Sequence, residues 1–273
     1  MLAPVCAIAI IGTKTRYLVW LHANIDVVGE YRFQSLCRKI ALKTASRVIV
    51  LTPEMREKYN NKFGDSNVQV IGNPIDNHLM TPVRYDAQAK KIISVGRLVY
   101  AKNYDMLIEV ANIVLKEHPE WSWDIYGEGN LRERLQAKID NSDLHKQLHL
   151  MGSVENIYDR YSDYAFLVMT SKYEGFPMVL LEGMARGLPL VAFDITTGPK
   201  YIIRNKENGL LVSEVSVEKM ASAVRELIVD ESERVAMSEA NLRIRDAFCL
   251  DSALTAWREA LQCVYNCKDN IHE

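Results

Sequence analysis

From residue 91 onward the chain alternates between short β-branched runs and longer stretches with apolar residues at helical spacing. The runs are IISV (92–95), WSWDIY (121–126), LHLMG (148–152), AFLVMTS (165–171), LPLVAF (188–193) and GLLVS (209–213). Between the first two, Asn103–His118 carries Met106, Leu107, Val110, Ile113 and Val114 on one helical face, and Pro119 ends it. Strands alternating with helices of this length predict βαβ units and a mainly parallel sheet covered on both faces. A shorter version comes first. YLVWLH (17–22) reads as a strand, and Gly29–Ser46 as a helix with Phe33, Leu36, Ile40 and Thr44 facing inward. RVIVLT (47–52), a short helix over Glu54–Lys62 and VQVIGNP (68–74) follow. The opening LAPVCAIAIIG (2–12) predicts a buried strand; it is too short to span a bilayer and lacks a basic leader.

Residues 74–90 hold two prolines and little periodicity, the signature of a linker. The pattern therefore divides the chain into a partial α/β lobe (1–78), a complete-looking α/β domain (79–250) and a terminal amphipathic helix (251–273) expected to pack back on the first lobe. Charge follows the same division. Residues 1–78 carry 10 Lys+Arg against 6 Asp+Glu, and the remainder 23 against 29. This asymmetry is too weak for a nucleic-acid partner, and no basic run is interleaved with aromatics. Five scattered cysteines without CxxC spacing, Cys263 and Cys267 among them, suit a reducing, cytoplasmic setting.

Doubly wound sheets bind ligands beyond the carboxyl ends of their strands, so the residues after each strand carry the chemistry. After IISV stand Gly96, Arg97 and Lys102: two cations beside a helix start, suited to a diphosphate, or else two solvated surface charges. After WSWDIY comes GEGN (127–130), a G-x-G without the third glycine of the dinucleotide fingerprint. It is ordinary turn chemistry, or a place where a base or ribose approaches the backbone. After AFLVMTS comes EGFPMVLLE (174–182), with two glutamates at the ends of an apolar run. Pro177 suits a helix start, which puts Glu174 at the crevice mouth and Glu182 more than a turn inside. Glu182 must then point back toward the crevice or out to water. Carboxylates accept hydrogen bonds from the paired hydroxyls of a ribose or a hexose. His22 ends its strand on the ligand side of the first lobe, or caps a neighbouring backbone group. HExxH, Cys/His clusters, Asp-x-Asp, GxSxG and P-loop motifs are all missing, so no metal site is expected.

Taken in order, VGRL (95–98) with Lys102, DIYGEG (124–129), LMGS (150–153), EGFPMVLLE (174–182), GLPLV (187–191) and ENGLLV (207–212) resemble the retaining glycosyltransferases of family 4. That resemblance implies an α/β GT-B fold of two Rossmann-like lobes, here with the N-terminal lobe incomplete. It implies a hexosyltransferase-type enzyme that takes a UDP- or GDP-sugar as substrate, needs no cofactor or metal, and glycosylates a glycan or lipid-linked acceptor with retention. By the same resemblance Arg97 and Lys102 hold the donor diphosphate. Glu182, with Gly127, Glu128, Gly129, Val154, Gly175, Phe176 and Pro177, holds the nucleotide and sugar, while His22 and Glu174 face the reacting sugar. The basic face of Arg32, Lys39 and Lys43 fits a peripheral contact with the inner face of a membrane, or a solvated helix. The short first lobe leaves open a donor-binding half or inactive remnant that needs a partner chain. A nucleotide-sugar epimerase is the remaining alternative.

Overall fold

The computed structural model describes residues 3–13, 15–22, 32–64, 67–81 and 83–266. The expected helix start at residues 29–31, the side chains of Arg32 and Phe33, and Cys267 lie outside the described residues. Contacts divide the chain into two units, residues 1–74 with 250–273 and residues 75–249.

The first unit runs α1 (Ala3–Ala9), β1 (Leu18–Leu21), α2 (Arg32–Thr44), β2 (Arg47–Val50), α3 (Pro53–Phe63) and β3 (Val68–Val70). The three strands form one parallel sheet in the order β1-β2-β3. The opening apolar run is thus a helix and not a strand. A short apolar segment carries no periodicity that separates the two states. Here Ala3, Ala7 and Ala9 favour a helix, and Val5, Ile8 and Ile11 are exposed where a buried strand would have hidden them. A second correction concerns α2. Its buried positions are Cys37, Ala41 and Leu42, with Ala45 buried just beyond its end, while Leu36 is exposed and Thr44 faces solvent. Small residues let the helix lie close to the sheet, so the inner face is rotated away from the bulkier side chains. Thr52 caps α3 by accepting a hydrogen bond from the Met55 amide at 3.2 Å. The terminal helix, α10 in chain order (Leu250–Asn266), belongs to this unit: Ala260 packs with Ile49 and Ile71, with Ala256 and Trp257 beside them.

The second unit contains β4 (Lys91–Val95), α4 (Tyr104–Glu117), β5 (Ser122–Tyr126), α5 (Arg132–Asp140), β6 (Leu148–Gly152) and β7 (Phe166–Met169). It continues with α6 (Met178–Ala185), β8 (Leu190–Phe193), α7 (Pro199–Ile202), β9 (Gly209–Val212), α8 (Val217–Val229) and α9 (Glu231–Ile244). Its six strands are all parallel and lie in the order β6-β5-β4-β7-β8-β9. Chain progress runs outward from β4 in one direction and then restarts at β7 in the other. The switch point is therefore the seam between β4 and β7, where successive connections leave to opposite faces and a crevice opens at the carboxyl ends. Strands β7 and β8 are buried at every position, as strands covered on both faces must be. Helix α4 buries seven residues against the sheet, and α8 packs beside it.

Two buried asparagines tie the last connections together. Asn208 donates to the Ile202 carbonyl (3.2 Å) and to Asn241 Oδ1 (2.9 Å), and accepts from the Arg204 amide (2.7 Å). Asn241 on α9 donates to the carbonyls of Leu188 and Asn208, at 2.8 and 2.9 Å. Every polar group in this pocket has a partner, which is the condition for burying it at little cost.

Candidate functional site

The site is built at the switch point from three strand exits. Beyond β4 the chain passes through Gly96 and Arg97 to a 3-10 turn at Tyr100–Lys102. Asn103 then takes a left-handed conformation (φ 56°), which turns the chain sharply into α4 and leaves the Lys102 side chain over the crevice. Beyond β7 the chain runs through Thr170–Gly175 to α6. These two exits are fastened to each other. The Lys172 amide donates to the Ala101 carbonyl at 2.8 Å, and Thr170 Oγ1 donates to the carbonyls of Lys102 (3.1 Å) and Asn103 (3.3 Å). At the rim, Lys172 Nζ stands 3.7 Å from the centre of the exposed Tyr100 ring.

Fastening continues on the other side of β4. The Gly96 amide donates to the Tyr126 carbonyl, the Leu98 amide to the Glu128 carbonyl, and the Gly127 amide to the Gly152 carbonyl, all within 2.8–2.9 Å. The ladder of the sheet thus runs past the strand ends into the loops. This fixes the role of the G-x-G pair. A Cβ on Gly127 would lie 2.0 Å from the Gly96 carbonyl oxygen, and one on Gly129 would lie 2.3 Å from that of Leu98. The glycines are required by backbone packing between two loops; the space a side chain would take is filled by protein and not kept open for a base. Glu128 is exposed and ion-paired with Arg132 at 3.0 Å, and Val154 lies exposed after β6.

The two glutamates answer differently to their surroundings. Lys102 Nζ sits 2.6 Å from Glu174 Oε1, with both side chains mostly withdrawn from water. Thr197 Oγ1 donates to the Glu174 backbone carbonyl at 2.6 Å, which anchors the turn from below. On α6, Val179, Leu180, Leu181, Gly183, Met184 and Ala185 are all buried, so Glu182 is a polar intrusion into a nearly all-apolar helix. Its Oε2 accepts from the Tyr161 hydroxyl at 2.8 Å. Burial raises the Glu182 pKa above the ordinary glutamate value, while the Tyr161 hydrogen bond and the charge of Lys102 pull the other way. Lys102 therefore acts on both carboxylates. Burial also holds the Tyr161 phenol far above its usual range, so it remains a donor.

The turn 175–177 contributes backbone only. Phe176 and Pro177 are buried, the Phe176 ring lying 6.1 Å from that of Tyr201 in an edge-on contact. Pro177 gives α6 no side-chain cap and has no N–H of its own. Arg97 is exposed and makes no ion pair among the described residues. The structure thus brings Lys102, Glu174 and Glu182 together, with Arg97 on the same strand exit as Lys102. His22 follows β1 in the other unit, exposed, with its ring 4.3 Å from that of Trp20. Among the described residues no group of three His, Cys, Asp or Glu could hold a metal ion, and no helix is long and apolar enough to cross a membrane. Tyr161 was not legible beforehand. The signal available was its aromatic ring among polar residues just ahead of β7, a ring whose hydroxyl needs a partner once buried.

A doubly wound parallel sheet with cations and acceptors gathered at its switch point defines a Rossmann-like ligand-binding unit, the kind paired in GT-B proteins. A sequence model of the glycosyl transferases group 1 family matches residues 81–243, more than half of the chain, and the chain belongs to that family. It is 30% identical to a poly(ribitol-phosphate) alpha-N-acetylglucosaminyltransferase of Staphylococcus aureus, over 86% of this chain and 48% of that protein. It is 26% identical to an uncharacterized glycosyltransferase of Haemophilus influenzae, over 93% of this chain and 72% of that one. The crystal structure of TarM superposes with a TM-score of 0.81 at 26% identity, covering 93% of this chain and 52% of that one. Anabaena HepE with UDP superposes at 0.86 with 19% identity, covering 95% and 76%, a likeness of fold alone. The fold is of the GT-B type, with the N-terminal lobe reduced to three strands among the described residues. The chain spans about half the length of the Staphylococcus aureus relative.

Proposed function

We propose that the chain passes a sugar from a nucleotide-sugar donor to a glycan or lipid-linked acceptor with retention, in the assembly of a polysaccharide or glycoconjugate. Residues 79–250 form its donor-binding domain and residues 1–78 its acceptor-side lobe. One observation carries this reading: Lys102, Glu174 and Glu182 converge at the β4/β7 switch point, a cation between two sugar-competent carboxylates. In this reading Arg97 and Lys102 receive the diphosphate and stabilise the charge that develops on it as the glycosidic bond breaks. Glu182 accepts from the ribose hydroxyls, and Glu174 with the amides around Gly175 orients the transferred sugar. Glu128 and Val154 border the base, while Gly127 and Gly129 shape the loop that carries Glu128. His22, just beyond β1, is assigned to the reacting sugar by the family resemblance alone. The activity of the Staphylococcus aureus relative on poly(ribitol-phosphate), and that of a 29% identical Erwinia amylovora glycosyltransferase in amylovoran biosynthesis, support a polymer or its lipid-linked precursor as acceptor. Exposed Lys39 and Lys43 on α2 support a peripheral contact with anionic lipid.

The test is a thermal-shift and calorimetric panel of the full chain with UDP, GDP, ADP and their common sugars, followed by product analysis with lipid-linked acceptors. Binding of one nucleotide, lost in Glu182→Ala, supports the assignment. Product formed unchanged by Glu182→Ala, or indifference to every nucleotide, refutes it. A second reading, a donor-binding half completed by a partner chain, is supported by β1, which pairs only with β2 among the described residues. Turnover by the chain alone would eliminate it.

A further inference from the structure

Glu182 is held from outside its own helix. Tyr161 lies in the 3-10 turn Tyr161–Asp163 ahead of β7, fully buried, and reaches across to α6. Its hydroxyl donates to Glu182 Oε2 at 2.8 Å. Among the described residues the other oxygen, Oε1, has no hydrogen-bond partner. A glutamate at the fifth position of a helix has three side-chain torsions to set, and its terminal torsion is broad and weakly preferred. One bond from a rigid, buried ring restricts that freedom and makes the two oxygens unequal: Oε2 is engaged by Tyr161 and Oε1 is not. Tyr158, in the preceding 3-10 turn (Ile157–Asp159), is near enough for its phenol to feel the Glu182 charge.

We infer that Tyr161 is the positioning residue for Glu182, holding the carboxylate so that Oε1 meets the ribose hydroxyls of the donor; this rests on the reading of the site given above. Tyr161 does not touch the reacting atoms. It acts by reducing the disorder of the acceptor it holds and by favouring its ionised form, since a donor hydrogen bond stabilises a carboxylate against protonation.

The experiment is calorimetric titration of the nucleoside diphosphate that the wild type binds (UDP, GDP or ADP) into the full chain, wild type and variants, from about pH 5 to about pH 8, on the alkaline side of the ordinary glutamate value. Tyr161→Phe keeps the ring and removes only the hydroxyl. It is expected to weaken nucleotide binding about tenfold at neutral pH, and its affinity should begin to fall at higher pH than that of the wild type. In a Glu182→Gln background the same substitution should change little. A 3-fluorotyrosine at position 161, a stronger donor of nearly the same shape, should move the acidic limb the opposite way; this arm decides the matter if the Phe variant is insoluble. Wild-type affinity and pH profile in Tyr161→Phe, with binding weakened in Glu182→Gln, would overturn the inference and leave the site assignment intact. An equal loss at every pH, unchanged in the Glu182→Gln background, would make Tyr161 merely structural and overturn it too. Failure of the wild type to bind UDP, GDP or ADP would remove the site assignment and this inference together.

Discussion

Lys102 Nζ and Glu174 Oε1 stand 2.6 Å apart, an ion pair that joins the exit of β4 to the exit of β7. Neither strand neighbours the other in sequence, yet their two side chains close the switch point of the sheet. Each partner is mostly out of water, so each needs the other while no ligand is present. Lys102→Ala should therefore do two things. On the proposed assignment, affinity for the nucleoside diphosphate should fall by about 2 kcal/mol, roughly thirtyfold, because Lys102 would no longer make its charge-assisted contact to the diphosphate. The ligand-free chain should also melt earlier. In a thermal double-mutant cycle, Lys102→Ala with Glu174→Gln should cost less than the two single changes together, with a coupling of about 1 kcal/mol. Strict additivity would show that the pair does not hold the two loops.

Glu182 gives a prediction with a pH sign. Its folded pKa is raised by burial above the ordinary 4.5. Stability is then greatest below that ordinary value and is lost as pH rises through the folded pKa, because the fold disfavours the ionised form. Glu182→Gln, a neutral isostere that still accepts from Tyr161, should raise the melting temperature of the ligand-free chain near neutral pH by about 2–4 °C. The gain should shrink to nothing near about pH 4, where the wild-type side chain is protonated in both states. The same variant should bind nucleotide measurably but more weakly. A stabilised protein with weakened binding is the expected mark of a carboxylate kept for function.

Gly127→Ala and Gly129→Ala should destabilise severely, by about 3 kcal/mol or more, because the new methyl groups have backbone and not flexible side chains to displace. Thermal melts and soluble yield would show this. A mild effect on stability with a large one on nucleotide binding would instead mean that the glycines face the ligand.

Asn208→Ala should cost about 2–3 kcal/mol, since it leaves Asn241 and the Ile202 carbonyl without their buried partners. Nucleotide affinity of the folded fraction should be unchanged. Chemical denaturation beside calorimetry would separate the two effects.

How much of this was legible in the sequence depends on the kind of interaction. Strands β7 and β8 were readable because both their faces are buried, so each is an unbroken apolar run; β4, β5, β6 and β9 were readable as short apolar-rich runs between helical stretches. Lys102 and Glu174 could be placed at the crevice because strand ends in a parallel sheet set where ligands go. The inner face of α2 could not be read, because small residues there pack closer than the bulky ones that attract attention. The opening helix failed for a similar reason: seven apolar residues fit either state. Tyr161 was hidden because its bond to Glu182 spans 21 positions and depends on a turn with no periodicity. The glycines of GEGN were seen, but their purpose belongs to the β4 exit lying against them, which only the register of two loops reveals.

The hydrogen bonds that carry the sheet ladder into its loops have a consequence for how such a site changes over time. At Gly96, Leu98, Ala101, Glu128 and Gly152 the loop residues are counted off against their neighbours like rungs. Inserting or deleting one residue in any of these loops would shift every later rung and break the loops beside it. New donor preferences in this architecture must therefore arise by exchanging side chains at fixed loop length, while variation in length is left to surfaces outside the ladder.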